Sequence, residues 1–179
     1  MPATPKGETE LYAFFDAHGI AYTHTTHPAV HTVEESNALC GDIPGAHVKN
    51  MFLKDKKGQL WLVTCLDRRK IHIRDLEKQI GAAKASFGKP DLLWETLGIR
   101  PGAVSPFGLI NDPEHTVRPV LDQQMLEADP INAHPLHNEA TTTVSRADFA
   151  RFFEITGHDP VVVDFDALEA LERARTEAA

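Results

Sequence analysis

At 179 residues, with 42% hydrophobic and 25% charged side chains, the chain has the make-up of one globular domain large enough to bury a core. No run approaches the roughly 20 apolar residues of a membrane span, and Met1–Glu8 lacks the apolar stretch of a signal peptide. The formal net charge of −8 disfavours wrapping or specifically binding DNA.

Charge is unevenly spread: residues 49–118 hold 13 Lys/Arg against 8 Asp/Glu, and the remainder 5 against 18. That leaves a modest basic face, better suited to the end of a nucleic acid than to a long duplex. The two cysteines, Cys40 and Cys65, argue for free thiols in a reducing cytoplasm.

In chain order, Thr9 to His18 predicts an amphipathic helix with Leu11, Phe14 and Phe15 on one stripe and Gly19 as its stop. Ile20 to Thr25 reads as a short strand. Thr32-Val33-Glu34-Glu35 is a helix start with the pattern of a capping box, leading to Leu39 or Cys40. The turn Gly41-Asp42-Ile43-Pro44-Gly45 opens a strand over 47–54, and Asp55-Lys56-Lys57-Gly58 joins it to a second over 59–66, a hairpin signal. Helices are expected over 73–81 and 90–97, and a short strand over 84–87. Gly98 to Gly108, with three glycines and two prolines, predicts a rigid loop with a bared backbone. Strands over 117–121, 131–134, 141–144 and 161–163, the last a buried-type Val-Val-Val run, and helices over 146–155 and 165–175 complete the chain. Hairpin-like strands interleaved irregularly with helices indicate an α+β fold in a single domain.

Several groups of residues bear chemistry. Lys49 and Asn50 stand together in the first hairpin strand: a flexible cation for a phosphate beside an amide that both donates and accepts. Neighbours in a strand point to opposite faces, so a shared role requires a local distortion. His24, His27 and His31, and His134 with His137, have spacings used by zinc ligands on helices, but Pro28 interrupts any helix there and no His-Glu-x-x-His motif occurs, so no metal is expected. Neither cysteine belongs to a Cys-x-x-Cys pair, and both are expected as small buried groups. The Gly98–Gly108 loop is neither a Walker loop nor a dinucleotide fingerprint, yet its N–H groups could face a carbonyl or phosphate oxygen.

Four blocks together resemble a known family: Thr32-Val33-Glu34-Glu35, Gly45-x-x-Val48-Lys49-Asn50-Met51-Phe52-Leu53, Arg100-Pro101-Gly102-Ala103-Val104-Ser105-Pro106-Phe107-Gly108, and His134-Pro135-Leu136-x-Asn138-x-x-Thr141. They are similar to the editing domain associated with prolyl-tRNA synthetase, the YbaK-like family, over about residues 8–170. The resemblance implies a curved, mixed and mostly antiparallel sheet, partly barrel-like, flanked by helices. It implies hydrolysis of the ester that joins a mischarged amino acid, alanine on the proline tRNA, to the 3′-terminal adenosine, without a cofactor.

By the same resemblance Lys49 holds the terminal phosphate and Asn50 lies near the substrate. Gly102, Ser105 and Pro106 bring backbone to the ester and adenosine, His134 lines the amino-acid pocket, and Val33 forms part of its wall. The implied partners are the acceptor end of tRNA(Pro) and, as a candidate, prolyl-tRNA synthetase. His31 departs from the pattern, where a more apolar residue is expected. Two alternatives stay open: a deacylase for cysteinyl-tRNA or another small aminoacyl-tRNA on the same scaffold, and a non-catalytic module that binds a tRNA end or a synthetase.

Overall fold

The structure, a computed structural model, describes residues 3–179. Among the described residues six α-helices, α1 (Glu8–Ala17), α2 (Val33–Cys40), α3 (Ile73–Ile80), α4 (Pro90–Leu97), α5 (Arg146–Thr156) and α6 (Phe165–Ala178), flank eight strands. The strands are β1 (Tyr22–Thr26), β2 (Ala46–Lys54), β3 (Leu60–Leu66), β4 (Ser86–Phe87), β5 (Val117–Asp122), β6 (Ile131–Ala133), β7 (Ala140–Val144) and β8 (Val161–Val163). They form one sheet in the order β1-β7-β6-β2-β3-β5-β8, with β4 set against β2. Pairings β1–β7, β6–β7, β2–β3 and β2–β4 are antiparallel; β2–β6, β3–β5 and β5–β8 are parallel. This is the mixed, mostly antiparallel α+β architecture expected from the sequence.

Strict alternation in the central hairpin explains why both faces are covered. Phe52, Leu60 and Leu62 join a core with Leu11, Phe15, Leu97, Phe107, Phe149 and Phe152, from α1, α4, α5 and the segment before β5. Leu53, Trp61, Val63 and Cys65 point the other way, to Leu76, Ile80, Phe165 and Leu168 of α3 and α6. Each such side chain, fully buried, contributes about 1.5–3 kcal/mol. Phe107 sits edge-on to Phe15 at 5.2 Å and to Phe152 at 5.3 Å, locking the loop after α4 beneath α1 and α5.

Glycine is required where the chain enters β2. Gly45 has φ +106, and a Cβ there would lie 2.3 Å from the Pro130 carbonyl oxygen, the same oxygen that accepts from the Ala46 N–H at 2.9 Å. Three details differ from the sequence reading. The capping box of α2 is half formed: the Thr32 hydroxyl accepts from the Glu35 N–H at 3.0 Å, but the Glu35 carboxylate accepts from His31 rather than Thr32, at 2.9 Å. The second half of the Gly98–Gly108 loop is not bare, because Pro106–Asn111 winds into a buried 3-10 helix. Val161–Val163 is an edge strand with Val162 half exposed, since β8 ends the sheet.

Candidate functional site

β2 is paired with β3 along one edge from Val48 to Lys54. Its other edge is shared: β6 takes Ala46 and His47, β4 takes Leu53 and Lys54, and the Gly88 N–H reaches the Phe52 carbonyl at 2.9 Å. Between these, residues 48–51 face no strand among the described residues. A cavity of about 190 Å³ opens at this gap, and Val48, Lys49 and Asn50 all line it. Three consecutive residues reach one cavity because it lies at the edge of the strand, where side chains from both faces border it. No distortion of the strand is needed.

Lys49 is partly buried, and its ammonium donates to the carbonyl oxygen of Arg69. Across the hairpin, burial pushes the Cys65 thiol up to about 12 although Lys49 works against the shift, so Cys65 is a protonated core residue and no nucleophile. The Thr64 hydroxyl donates to Asn50 Oδ1 at 2.7 Å. This fixes the amide and leaves its N–H groups without a partner among the described residues. Asp67, on the turn after β3, adds a carboxylate to the wall. Its own N–H continues the hairpin ladder to the His47 carbonyl at 2.9 Å.

The loop after α4 contributes Gly102 and Val104. Pro101 followed by Gly102 at φ +89, with the Ala103 N–H bonded to the Arg100 carbonyl at 3.1 Å, is the pattern of a type II turn. Such a turn needs a positive φ at its third residue and leaves the Gly102 N–H free of any partner among the described residues. Ser105 and Pro106 do not line the cavity. Ser105 is wholly buried, its hydroxyl accepting from the Phe107 N–H at 3.2 Å, and Pro106 is buried as the first residue of the 3-10 helix.

Opposite, α2 and the residues before it supply Val30, His31, Thr32, Val33 and Ser36. His31 faces the cavity: its Nδ1 would lie 3.7 Å from a Cβ built on Gly102, as would Asn138 Nδ2. Asn138 in turn donates to the Val30 carbonyl at 2.7 Å, tying the start of α2 to the segment that carries His134.

His134 follows β6. Its Nδ1 is 3.1 Å from the Ala140 carbonyl, an atom that can only accept, so Nδ1 carries the proton. Burial, reinforced by His27 and His137, holds the imidazole below its ordinary 6.5 despite the opposing Ala140 bond. The neutral ring keeps a lone pair on Nε2, which has no partner among the described residues, and His134 lines the cavity. Two residues on, buried Leu136 adopts φ +72, a strained conformation for a bulky side chain, of the kind that collects at functional sites.

The remaining histidines of the cluster are engaged elsewhere. His27 sits between the Pro28 carbonyl and the Thr141 hydroxyl, 2.9 Å from each. His24 and His137 both meet the Glu8 carboxylate. No group of three metal-ligating side chains occurs among the described residues.

The cavity thus brings together Val33, Lys49, Asn50, Gly102 and His134 from four separate segments. Val30, His31, Thr32, Ser36, Val48, Asp67 and Val104 complete it without having been named as site residues by sequence reasoning. Among the described residues no helix is long and apolar enough to cross a membrane.

Several known proteins are similar to the chain. The family model for the aminoacyl-tRNA editing domain matches residues 27–152, from His27 to the last turns of α5. The chain is 37% identical over 159 residues to prolyl-tRNA synthetase associated domain-containing protein 1 of Danio rerio, covering 88% of this chain and 86% of that protein. It is 35% identical over 149 residues to the prolyl-tRNA editing protein ProX of Acetoanaerobium sticklandii, covering 83% and 91%. A solved structure described as a candidate trans-editing enzyme for prolyl tRNA synthetase superposes with a TM-score of 0.67 at 19% identity, over 88% of this chain and 94% of that one, which shows a shared fold. The chain belongs to the aminoacyl-tRNA editing domain family.

Proposed function

We propose that the protein is a trans-editing deacylase that hydrolyses the ester of alanine mischarged onto tRNA(Pro). The observation that carries this reading is the convergence of Lys49, Asn50, Gly102 and His134 on one small cavity with an apolar wall at Val33. In this reading Lys49 clamps the phosphate of the terminal adenosine as a point charge. The Asn50 amide donates to the ribose or the ester. The free Gly102 N–H points at the carbonyl oxygen that becomes negative as the ester is attacked. The neutral His134 accepts at Nε2 from the attacking water and orients it. The water oxygen bonds to the ester carbon, the bond to the ribose oxygen breaks, and the water proton ends on that oxygen, with the neighbouring ribose hydroxyl as carrier. An aminoacyl ester is already activated, so a positioned water and a stabilised oxyanion suffice.

Selectivity follows from size. A cavity of about 190 Å³ is smaller than the roughly 300–1,000 Å³ of pockets that hold drug-sized ligands. Attraction for a methyl group gives too little discrimination, since a methylene is worth roughly 1–3 kcal/mol, so rejection of the bulkier proline ring is the effective lever. His31, which has the polarity of an imidazole where an apolar residue was expected, sits at this wall and makes cysteine the competitor to test. The test is a panel of alanyl-, cysteinyl- and prolyl-tRNA(Pro). Rapid release of alanine with proline spared supports the assignment. Preferential release of cysteine moves the specificity to the sibling activity. Binding of the acceptor end with no change in ester half-life at saturating protein identifies a non-catalytic module.

A further inference from the structure

We propose that Arg69, which does not line the cavity, is a positioning residue that aims Lys49. The kinetic part of this inference rests on the deacylase reading. The turn that follows β3 is pinned through one carboxylate. Asp122 Oδ2 accepts from the Leu66 N–H at 3.1 Å and from Arg69 Nε at 2.9 Å, and Asp122 Oδ1 accepts from Arg69 Nη2 at 3.2 Å. The Arg69 N–H closes the turn on the Leu66 carbonyl at 3.1 Å. The rest of the fork reaches Gln124 Oε1 at 2.9 Å and Asp166 in the first turn of α6. The side chain is wholly buried.

A planar guanidinium held by the Asp122 and Asp166 carboxylates and the Gln124 amide, with the Glu169 carboxylate 3.5 Å from Nη1, has little rotational freedom left, and the same holds for the peptide it belongs to. The product of this anchoring is a fixed carbonyl oxygen, and that oxygen is the acceptor for Lys49 Nζ. Lysine alone is a point charge on a flexible stem of four carbons. Bonded to Arg69 it spends one of its three N–H donors on the turn and keeps two for an anionic substrate. The buried arginine thus converts the docking of α6 and β5 into the placement of one ammonium group at the open edge of β2.

The experiment compares Arg69→Lys, which keeps a cation but loses the fork, with Asp166→Ala, whose partly exposed carboxylate can be removed while Asp122 still anchors the turn. Two readouts are taken on folded protein: kcat and KM for alanyl-tRNA(Pro), and the NMR order of the Lys49 side-chain Nζ. The expected results are a kcat lower by about a hundredfold for Arg69→Lys and about fivefold for Asp166→Ala. KM should rise, because the phosphate that Lys49 holds is already present in the bound substrate, Lys49 should be more mobile, and Asp166→Glu should restore most of the rate. Wild-type kcat in Asp166→Ala and in folded Arg69→Lys overturns the proposal, whatever happens to melting temperature, and so does an unchanged Lys49 order. If the wild-type protein releases no amino acid from any aminoacyl-tRNA, the deacylase reading falls, and the Lys49 order alone then decides the role of Arg69.

Discussion

His134 and His158 are both largely buried histidines, and their difference separates structure from chemistry in this fold. His158, at the end of α5, has both ring nitrogens engaged: Nδ1 with the Thr156 hydroxyl at 2.9 Å and Nε2 with Asp112 at 3.0 Å. Asp112 is saturated too, accepting from the Thr116 N–H and hydroxyl and the Val117 N–H at 2.7–2.9 Å. Nothing there is left to meet a ligand. His134 has one nitrogen tied to a carbonyl and the other without a partner among the described residues, in a side chain that lines a cavity. A satisfied buried polar group stabilises; one with a free valence facing a cavity is available for work.

Substitutions can break this contrast from either side. The largest expected effect is on stability. Asp112→Ala strands His158 and the Thr116 and Val117 donors, and should cost about 3–5 kcal/mol in chemical denaturation while leaving the rate per folded molecule intact. The same carboxylate carries a pH dependence. Burial works to raise Asp112, but the bonds from His158, Thr116 and Val117 outweigh it and hold the group below 3.8. Its contribution is therefore complete above the ordinary carboxylate range and lost as pH falls through the folded-state value. An acid-denaturation profile of Asp112→Asn should lack that component.

On the site side, Lys49→Ala should lower deacylation by about 10²–10³-fold with an unchanged denaturation midpoint. Turnover close to wild type would remove the phosphate clamp from the account. His134→Ala should cost about tenfold to a hundredfold, near the low end of proton-transfer and water-orienting effects. Because the folded imidazole lies below 6.5, activity should persist beneath that pH and fall only as pH drops through the lowered value. The folded state also loses stability across this interval, since the unfolded chain takes up the proton first. An acid limb that survives in His134→Ala would assign it to another group. The smallest effect is expected at Gly102→Ala, about 1–2 kcal/mol from the left-handed φ alone, since a Cβ there meets its neighbours only at 3.7 Å. Gly45→Ala, where the Cβ would strike the Pro130 carbonyl, should be much more damaging.

The elements of the fold were legible because they rest on local patterns. The β2–β3 alternation, the Thr32 cap on α2, and the glycines in left-handed conformation that end α3, α4 and α5 are all written within a few residues of where they act. The site was legible only in part. Lys49 and Asn50 seen along a strand belong on opposite faces, and only the pairing of β6 and β4 with different ends of β2 shows that both border a gap. Ser105 and Pro106 belong to the same block as Gly102, yet they turn inward to cap and begin a 3-10 helix while Gly102 borders the cavity. Arg69 looked like part of a basic face, and Asp122, Gln124 and Asp166, 53 to 97 positions away, draw it inside instead. Long-range partners of this kind leave no periodicity to read.

The central claim is that the cavity at the open edge of β2 is a hydrolytic site for a small aminoacyl ester on tRNA(Pro). It is tested most directly by following alanyl- and prolyl-tRNA(Pro) side by side with wild-type protein and with Lys49→Ala. The account predicts that the wild type clears alanine and spares proline, and that Lys49→Ala clears neither. Equal hydrolysis of both esters, or an unchanged alanyl ester half-life with saturating wild-type protein, would contradict it.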